Sequence, residues 1–217
     1  MDPSARTDLG DGAWIDYDPG WLPEGEASDL FTRLAAEQAW EHRPIVVFGK
    51  EILQPRLIAW AGELPYRYSG QTLPPRPMEG ALAELTARVC AEVGVPFNHV
   101  LLNRYRDGQD NMGRHADDEW ELGRDPTIAA LSLGAVRRFD LLKKGKGKRR
   151  PRRSIPLAHG SLLVMGGSIQ HRFWHAVPKA GAGVGERINV TFRLLLGPPG
   201  CRPKRPAQTI DLAPVTG

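Results

Sequence analysis

Residues 187–193 read Arg187-Ile-Asn-Val-Thr-Phe-Arg193, and their polar and apolar side chains alternate strictly. In a β-strand, side chains at every second position point to the same face, so a strand here separates the two kinds. The polar face carries Arg187, Asn189, Thr191 and Arg193. Buried arginines require an anion, and guanidinium groups bind carboxylates through paired hydrogen bonds. The stretch therefore predicts either a buried pocket for a dicarboxylate or an amphipathic edge strand that faces water.

Short stretches of similar character fill the second half of the chain, separated by Gly, Pro and Asp. They predict strands at 99–105, 128–133, 138–142, 153–156, 161–165, 171–177 and 187–196. Many short strands within one domain indicate a β-sandwich or a jelly roll. The pairing of these strands does not follow from the sequence.

Two amphipathic helices are predicted ahead of these strands, at 26–39 and 78–93. The second helix is preceded by Pro77 and followed by Gly94, which are residues typical of a helix start and a helix end. We therefore expect an α+β, mainly β fold, in which two N-terminal helices support the strands on one side.

Composition sets the expected boundaries of the domain. The chain has 217 residues, of which 41% are apolar and 25% are charged, as is typical of one soluble domain. Residues 1–12 are expected to form a flexible tail, 13–196 the domain and 197–217 a Pro/Gly-rich tail. No apolar stretch approaches the roughly 20 residues that span a bilayer, and no secretory signal is visible. Cys90 and Cys201 lie in dissimilar contexts, so we expect a reducing compartment and no disulfide.

Positive charge is concentrated in residues 143–153, which read Lys-Lys-Gly-Lys-Gly-Lys-Arg-Arg-Pro-Arg-Arg. The net charge of the chain is +4 and this segment contributes +8, so the remainder carries −4. A local cationic patch on an otherwise acidic protein indicates a polyanionic partner that meets one loop. The alternatives are a solvated loop and a polybasic targeting signal.

The segment Gly113-Arg-His-Ala-Asp-Asp-Glu119 contains a candidate pair of metal ligands. In an extended backbone His115 and Asp117 project from the same face, while Asp118 points away. With one further histidine they would form a site of two histidines and one carboxylate. Such a site leaves positions on Fe(II) open for a keto acid and dioxygen. The ordinary alternative is a polar surface turn.

The third ligand has three candidates, His159, His171 and His175. His159 lies at the start of a predicted strand, where a structural role explains it more readily. His171 and His175 differ by four positions, so they would share a face of one strand. Alternation therefore does not choose between these two.

Four motifs stand out along the chain. They are Asn103-Arg-Tyr-Arg-Asp-Gly-Gln-Asp-Asn-Met-Gly-Arg-His-Ala-Asp-Asp-Glu119, Leu157-Ala-His-Gly-Ser-Leu-Leu163, Phe173-Trp-His-Ala-Val-Pro178 and Arg187-x-Asn-x-Thr-Phe-Arg193. In this order they resemble the AlkB family of Fe(II)- and 2-oxoglutarate-dependent dioxygenases. Two further stretches, Pro44-Ile-Val-Val-Phe-Gly-Lys50 and Tyr66-Arg-Tyr-Ser-Gly70, resemble the branch of that family that repairs duplex DNA. The resemblance covers roughly residues 15–196.

The resemblance implies a double-stranded β-helix, or jelly roll, that holds iron in its mouth. It implies that His115, Asp117 and His175 bind Fe(II). His175 is preferred because the family's second histidine follows two aromatic residues and precedes a small one. The resemblance also implies a pocket for 2-oxoglutarate, in which Arg187 pairs with the distal carboxylate. The residues expected to form that pocket are Asn103, Tyr105, Arg187, Asn189, Thr191 and Arg193.

The resemblance further assigns contacts with a nucleic acid. Phe48 resembles a wedge that enters the base stack, and its alternative role is that of a core aromatic at a strand end. Tyr66, Arg67 and Tyr68 resemble part of a lid over an extruded base. The expected substrate contacts are Phe48, Gly49, Lys50, Arg56, Tyr66, Arg67, Tyr68, Asp118 and Glu119. The expected contacts with the DNA backbone are Lys143, Lys144, Lys146, Lys148, Arg149, Arg150, Arg152 and Arg153.

The chain departs from the family pattern after its last expected ligand. The DNA-repairing branch often carries a basic cluster there, whereas Lys179-Ala-Gly-Ala-Gly-Val-Gly185 is nearly uncharged. We therefore expect the segment 143–153 to supply more of the contact with the strand.

The implied function is repair of alkylated DNA. Fe(II), 2-oxoglutarate and O2 would oxidise alkyl groups on base nitrogens, as in 1-methyladenine and 3-methylcytosine, after the base is flipped out of a single or double strand. Alternatives are the same chemistry on RNA or protein, and a nucleic-acid-binding module with an inactive metal site. We expect a monomer without a membrane partner, in the cytoplasm, at the nucleoid of a bacterium or in the nucleus of a eukaryote.

Overall fold

A computed structural model describes residues 6–47, 50–68, 70–145 and 151–197. The strands are β1 Thr7–Gly10, β2 Ala13–Asp18, β3 Pro44–Val47, β4 Lys50–Leu53, β5 Leu57–Gly62, β6 Tyr66–Tyr68, β7 Gln71–Leu73, β8 His99–Tyr105, β9 Met112–His115, β10 Ile128–Gly134, β11 Arg137–Lys143, β12 Arg153–Leu157, β13 Ser161–Gly167, β14 Phe173–Val177 and β15 Arg187–Arg193. The helices are α1 Glu24–Glu37, α2 Gly80–Val93 and α3 Ile169–Arg172, and a 3-10 turn covers Trp120–Leu122.

Two antiparallel sheets form the body of the protein. The larger sheet has the strand order β1-β2-β13-β10-β15-β8-β5, and the smaller sheet has the order β12-β11-β14-β9. Buried side chains of both sheets form one core, in which Leu101 and Met165 of the larger sheet meet Phe139, Ile155 and Phe173 of the smaller. The sheets therefore pack face to face, and the predicted jelly roll is confirmed.

Helices α1 and α2 pack on the outer face of the larger sheet. Leu34 of α1 and Val89 of α2 share a core with Leu102 of β8 and with Val190 and Phe192 of β15. The two helices thus support the sheet from one side, as predicted. Within the described ranges, no helix is long and apolar enough to cross a membrane.

Strand β15 lies inside the larger sheet, hydrogen-bonded to β10 on one side and to β8 on the other. Its apolar side chains meet the helices, so alternation directs its polar side chains into the space between the two sheets. The alternative of an edge strand facing water is therefore wrong. The interior of the jelly roll has one polar wall.

The order of the elements differs from the prediction in the first part of the chain. Strands β1 and β2 precede α1, and β3 to β7 lie between the two helices, whereas the sequence predicts only helices there. Because β1 pairs with β2 at the edge of the larger sheet, Thr7–Gly10 belongs to the domain and not to the expected tail. These strands are short, and two of them, β2 and β5, are stabilised by pairing with the distant strands β13 and β8.

Two hairpins lie outside the main sheets. One pairs β3 with β4 and the other pairs β6 with β7. The β6–β7 hairpin belongs to the core between the sheets, where Tyr66, Tyr68 and Leu73 are buried. Phe48 and Gly49, which the resemblance assigns to a wedge between β3 and β4, lie outside the described residues.

Candidate metal centre and anion pocket

Three potential metal ligands meet in the cavity between the two sheets. His115 ends β9 and is the register partner of His175 in β14, and their ring centroids are 4.1 Å apart. Asp117 follows two residues after His115. One ligand atom from each residue lies within 4.8 Å of the others. Across the described ranges this is the one group of His, Cys, Asp and Glu side chains with such geometry.

The electrostatics of this group favour a bound cation. Burial lowers the pKa of His175 to about 3 and also lowers the pKa of His115. Burial opposes ionisation of Asp117, but Arg193 and the two imidazoles outweigh it and lower its pKa to about 2. The site therefore offers two neutral imidazoles and one carboxylate at neutral pH, which are the forms that bind metals.

Neighbouring groups fix the orientation of these ligands. The Nδ1–H of His115 donates to the carbonyl oxygen of Gly113 at 2.9 Å, which leaves Nε2 for a metal. The backbone N–H of Asp117 donates to Oε1 of Gln170 at 3.0 Å. Oδ1 of Asp117 accepts a hydrogen bond from Nη2 of Arg193 at 3.0 Å. These contacts hold His115 and Asp117 in position before any ion binds.

An anion pocket adjoins the ligands on the polar face of β15. Arg187 is fully buried, and its Nη2 donates to Oγ of Ser132 at 2.9 Å and to Oδ1 of Asn189 at 3.0 Å. Its Nε and Nη1 have no acceptor among the described residues. Buried donors without partners cost about 1–3 kcal/mol, and more when charged. A bound carboxylate would remove that cost.

The predicted pocket residues share one cavity with the metal ligands. Tyr105 and Asn103 of β8 are the register partners of Arg187 and Asn189, and the Arg187 guanidinium lies 5.1 Å from the Tyr105 ring. Nδ2 of Asn189 donates to Oγ1 of Thr191 at 2.7 Å. The cavity is lined by Asn103, Tyr105, His115, Asp117, His175, Arg187, Asn189, Thr191 and Arg193, together with apolar side chains of both sheets.

The other two candidate ligands, His159 and His171, lie outside this cavity. His171 is in α3, with its side chain 46% exposed, and its Nε2 contacts the carbonyl oxygen of Arg124. His159 accepts a hydrogen bond at Nδ1 from the backbone of Gly134 at 2.8 Å, and its Nε2 lies 3.2 Å from the hydroxyl of Ser28. The strand predicted from residue 171 therefore begins at Phe173.

Arg56, which the resemblance assigns to the substrate, is hydrogen-bonded within the protein, and its contact with a substrate stays a prediction. It is 4% exposed, and its guanidinium donates to Oδ1 of Asn103 and Oε1 of Gln54, both at 2.7 Å. It also donates to the carbonyl oxygen of Asn111 at 3.2 Å and to the hydroxyl of Tyr68. Because every nitrogen is engaged within the protein, Arg56 anchors the β6–β7 hairpin against β8.

The β6–β7 hairpin is a buried wall and not an exposed lid. The Tyr66 side chain is fully buried beside His99, with the ring centroids 4.8 Å apart, and Tyr68 is 6% exposed. Of the three residues in β6, Arg67 alone is exposed. The hairpin therefore shapes the site through its tyrosines and meets solvent through Arg67.

Asp118 and Glu119 occupy different environments. Oδ2 of Asp118 lies 3.3 Å from Nζ of Lys144, at the start of the basic segment, so Asp118 is directed away from the cavity. Glu119 has a pKa of about 7, raised first by burial and then by the charge of Asp117. Its Oε2 has no donor among the described residues. Of the two, Glu119 is therefore the residue placed beside the metal ligands.

Part of the basic segment is described. Lys143, Arg152 and Arg153 are exposed, and Lys143 also pairs with Asp11 at 3.3 Å. Lys144 lies 4.2 Å from the ring centroid of Trp174. The remaining cations assigned to the DNA backbone lie outside the described residues; they are Lys146, Lys148, Arg149 and Arg150.

Arg137 is a structural residue that sequence reasoning missed. It is 1% exposed and donates to the carbonyl oxygens of Asp107, Asp110 and Pro178 at 3.0, 2.8 and 2.7 Å. It thereby ties the loops after β8 and β14 together beside the anion pocket. Sequence reasoning also missed Gln170, which accepts the hydrogen bond from Asp117. Neither Arg137 nor Gln170 belongs to a recognisable motif.

A metal site of two histidines and a carboxylate, beside a buried arginine pocket in a jelly roll, defines a class of iron oxygenases that use a keto acid. The sequence matches the model of the 2OG-Fe(II) oxygenase superfamily over residues 15–193. Similar proteins include alpha-ketoglutarate-dependent dioxygenase alkB homolog 3 of Bos taurus, 40% identical over 83% of this chain and 66% of its own. Another is DNA oxidative demethylase ALKBH2 of Mus musculus, 40% identical over 80% of this chain and 77% of its own. The chain belongs to the AlkB family.

A solved structure supports the fold. The structure of OsALKBH1 has a TM-score of 0.61 and 16% sequence identity, and the match covers 86% of this chain and 100% of that one. The present chain spans 66% of the bovine and human alkB homolog 3 proteins and 64% of the rat protein, just under two thirds of their length.

The residues fit the cofactors of this family, Fe(II) and 2-oxoglutarate, with O2 as co-substrate. His115, Asp117 and His175 would hold the iron, because all three are in metal-binding protonation states and face one cavity. Arg187 would receive the distal carboxylate, because two of its buried donors have no other acceptor among the described residues.

Proposed function

We propose that this protein repairs DNA by removing alkyl groups from base nitrogens, as in 1-methyladenine and 3-methylcytosine. The observation that carries the proposal is the shared cavity, in which three metal ligands and the unpaired donors of Arg187 face the same space. The similarity to proteins named DNA oxidative demethylase supports DNA as the substrate.

Iron held by His115, Asp117 and His175 would supply the oxidising power: O2 would oxidise 2-oxoglutarate to succinate and carbon dioxide with one oxygen atom, and the other oxygen atom would hydroxylate the alkyl carbon on the base nitrogen, which then leaves as an aldehyde. The protein positions the reacting groups and excludes water from them. Arg187 and Tyr105 orient the keto acid from one wall, and Arg193 fixes the carboxylate of Asp117. Phe139 stacks on His175 at 5.5 Å between ring centroids and keeps that side of the cavity apolar.

A base inside a duplex cannot reach this cavity, so the substrate base must leave the stack, at a cost of a few kcal/mol. A lesion that blocks pairing lowers that cost and favours damaged bases. Phe48 is proposed to fill the gap left in the duplex, on the strength of its sequence context alone. The basic segment 143–153 is proposed to contact phosphates. We place the enzyme at DNA, in a nucleoid or a nucleus, as a monomer.

The test is a direct assay of lesion loss. Purified protein with Fe(II) and 2-oxoglutarate is incubated under air with oligonucleotides that carry 1-methyladenine or 3-methylcytosine, in matched DNA and RNA versions. Mass spectrometry should show loss of the methyl group from DNA, and no loss when 2-oxoglutarate is omitted. Loss from RNA but not from DNA would move the substrate to RNA and contradict the proposal.

A further inference from the structure

A second pocket lies on the surface beside the metal centre, and the proposed chemistry does not use it. It is lined by Arg67, Gly70, Glu119, Trp120 and Glu121. Trp120 is 58% exposed, although tryptophan is the side chain with the most surface to gain from burial. Exposed tryptophan is enriched at recognition surfaces, where it supplies much of the binding energy.

The backbone that carries Trp120 is fixed. Trp120 begins the 3-10 turn, and the N–H of Gly123 donates to its carbonyl oxygen at 3.2 Å. Leu122, two residues after Trp120, is buried in the core and only 5% exposed. The N–H of Leu196 donates to the carbonyl oxygen of Glu121. The indole therefore projects from a rigid turn, so that little backbone order would be lost on binding.

The chemistry of the pocket points to one kind of ligand. Glu121 is 5% exposed, and its Oε2 has no hydrogen-bond donor among the described residues. Arg67 is exposed on β6 and places a cation at the same pocket. The aromatic face of Trp120 suits a flat base, and the unpaired carboxylate of Glu121 suits the N–H groups of that base. The cation of Arg67 suits a phosphate.

The position of the pocket relates it to the active site. Glu119 lines it and follows the candidate metal ligand Asp117 by two residues in the chain. Trp120 follows Asp117 by three residues, which keeps their Cα atoms within about 11 Å. A ligand in the pocket is therefore a near neighbour of a base at the metal.

We propose that this pocket binds the nucleotide next to the alkylated one. Its base stacks on Trp120 and donates N–H groups to Glu121, and its phosphate lies at Arg67. Guanine suits the carboxylate best because it offers two adjacent donors, whereas thymine offers one donor between two carbonyl oxygens. The inference rests on the proposed function in that it takes the substrate to be a nucleic acid.

Binding of short single strands tests the inference without turnover. Fluorescence anisotropy is measured under argon, with Fe(II) and 2-oxoglutarate present, on labelled trinucleotides with a central 3-methylcytosine. One neighbouring position at a time carries guanine, thymine or an abasic site. For one of the two sides, the abasic strand should bind the unaltered protein at least about 5-fold more weakly, which is the lower end of the range of one base–aromatic stack.

Substitutions then locate the effect. In Trp120→Ala the difference between the guanine and abasic strands should disappear, and in Trp120→Phe most of it should return. Val136→Ala is the matched control, because Val136 is also an exposed apolar side chain, at 55%, and lies in the turn between β10 and β11. It should keep the full difference. Glu121→Gln should remove the preference for guanine over thymine at that position.

The possible outcomes separate the two proposals. If the unaltered protein binds guanine and abasic strands equally, or if Trp120→Ala weakens both by the same factor, the pocket is not a nucleotide site. An unchanged guanine preference in Glu121→Gln overturns the role given to that carboxylate. If the abasic effect depends on Trp120 but no methyl group is lost in air, the pocket stands and the proposed repair activity fails.

Discussion

Arg187 and Arg193 lie on the same strand, but they have different electrostatic partners. Both lie on the inner face of β15 and both are buried. Burial lowers the pKa of Arg187, whereas the negative charge of Asp117 outweighs burial and raises the pKa of Arg193. Arg193 is therefore committed to a carboxylate of the protein. Nε and Nη1 lack an acceptor among the described residues in both arginines, but only Arg193 is paired there with a carboxylate, at 3.0 Å from Asp117. Arg187 is therefore suited to a carboxylate that arrives from outside.

This difference yields a prediction for the co-substrate. Arg187→Ala should weaken 2-oxoglutarate binding by roughly 100-fold, because a buried carboxylate that loses its charged partner costs about 3 kcal/mol or more. The affinity for DNA should stay within about 2-fold, because Arg187 lies inside the cavity. Isothermal titration calorimetry under argon measures the first affinity and anisotropy the second. Arg138→Ala is the control, since that arginine is 61% exposed. Equal 2-oxoglutarate affinity in the Arg187 variant and the control would contradict the pocket assignment.

At the scale of elements, the sequence predicts a strand best where polar and apolar residues alternate and the strand also pairs with neighbours in a main sheet. The strands from β10 to β13 and β15 appear within two residues of their predicted starts, and β8 matches at both ends. Strand β9 was not predicted, because its four residues include Gly113 and it is defined by pairing with β14. This pairing also settles which histidine faces His115, a question that the spacing of His171 and His175 left open.

Substrate-side residues were harder to place than the metal ligands. A ligand set needs only spacing and residue type, and the motifs supplied both. The role of Arg56 depends on four partners from distant parts of the chain, among them Gln54, Asn103 and Tyr68. Such a network cannot be read from local pattern, because its partners come from segments that lie far apart in the sequence.

The loop after β8 packs against the loop after β14, and a matched pair of glycine substitutions tests this packing. A Cβ on Gly108 would lie 2.4 Å from the carbonyl oxygen of Gly181, whereas a Cβ on Gly181 would meet no atom within 4 Å. Gly108→Ala should therefore destabilise the protein by about 1–3 kcal/mol, the usual cost of overpacking. Gly181→Ala should change stability by less than about 0.5 kcal/mol. Urea unfolding measures both values, and equal stability of the two variants would show that the loops do not pack as described.

At the scale of the whole molecule, charge is divided between an acidic body and one basic segment. The segment 143–153 carries +8, while the rest of the chain carries −4. Its exposed members Arg152 and Arg153 lie at the start of β12, at the same end of the β11–β12 pair as Lys143. Binding through such a segment is independent of base sequence, because its side chains contact phosphates.

Salt dependence tests this division. Each phosphate contact on duplex DNA contributes a slope of about −0.9 to the dependence of log affinity on log salt. The double variant Arg152→Ala/Arg153→Ala should therefore reduce the slope by up to about 1.8 and weaken binding to damaged and undamaged DNA alike. Arg33→Ala, on the opposite, helical side of the larger sheet, is the control. An unchanged slope in the double variant would remove the basic segment from the DNA contact.

The central claim is that His115, Asp117 and His175 hold the iron that couples 2-oxoglutarate turnover to the loss of alkyl groups from DNA. The most direct measurement counts succinate formed and methyl groups lost from the same DNA sample, for the unaltered protein, His175→Ala and His171→Ala. We predict equal amounts of both products in the unaltered protein and in His171→Ala. In His175→Ala both should fall by more than roughly 100-fold, which is what changes to a ligand's neighbours can already cost. Loss of coupled turnover in His171→Ala together with its retention in His175→Ala would contradict the account.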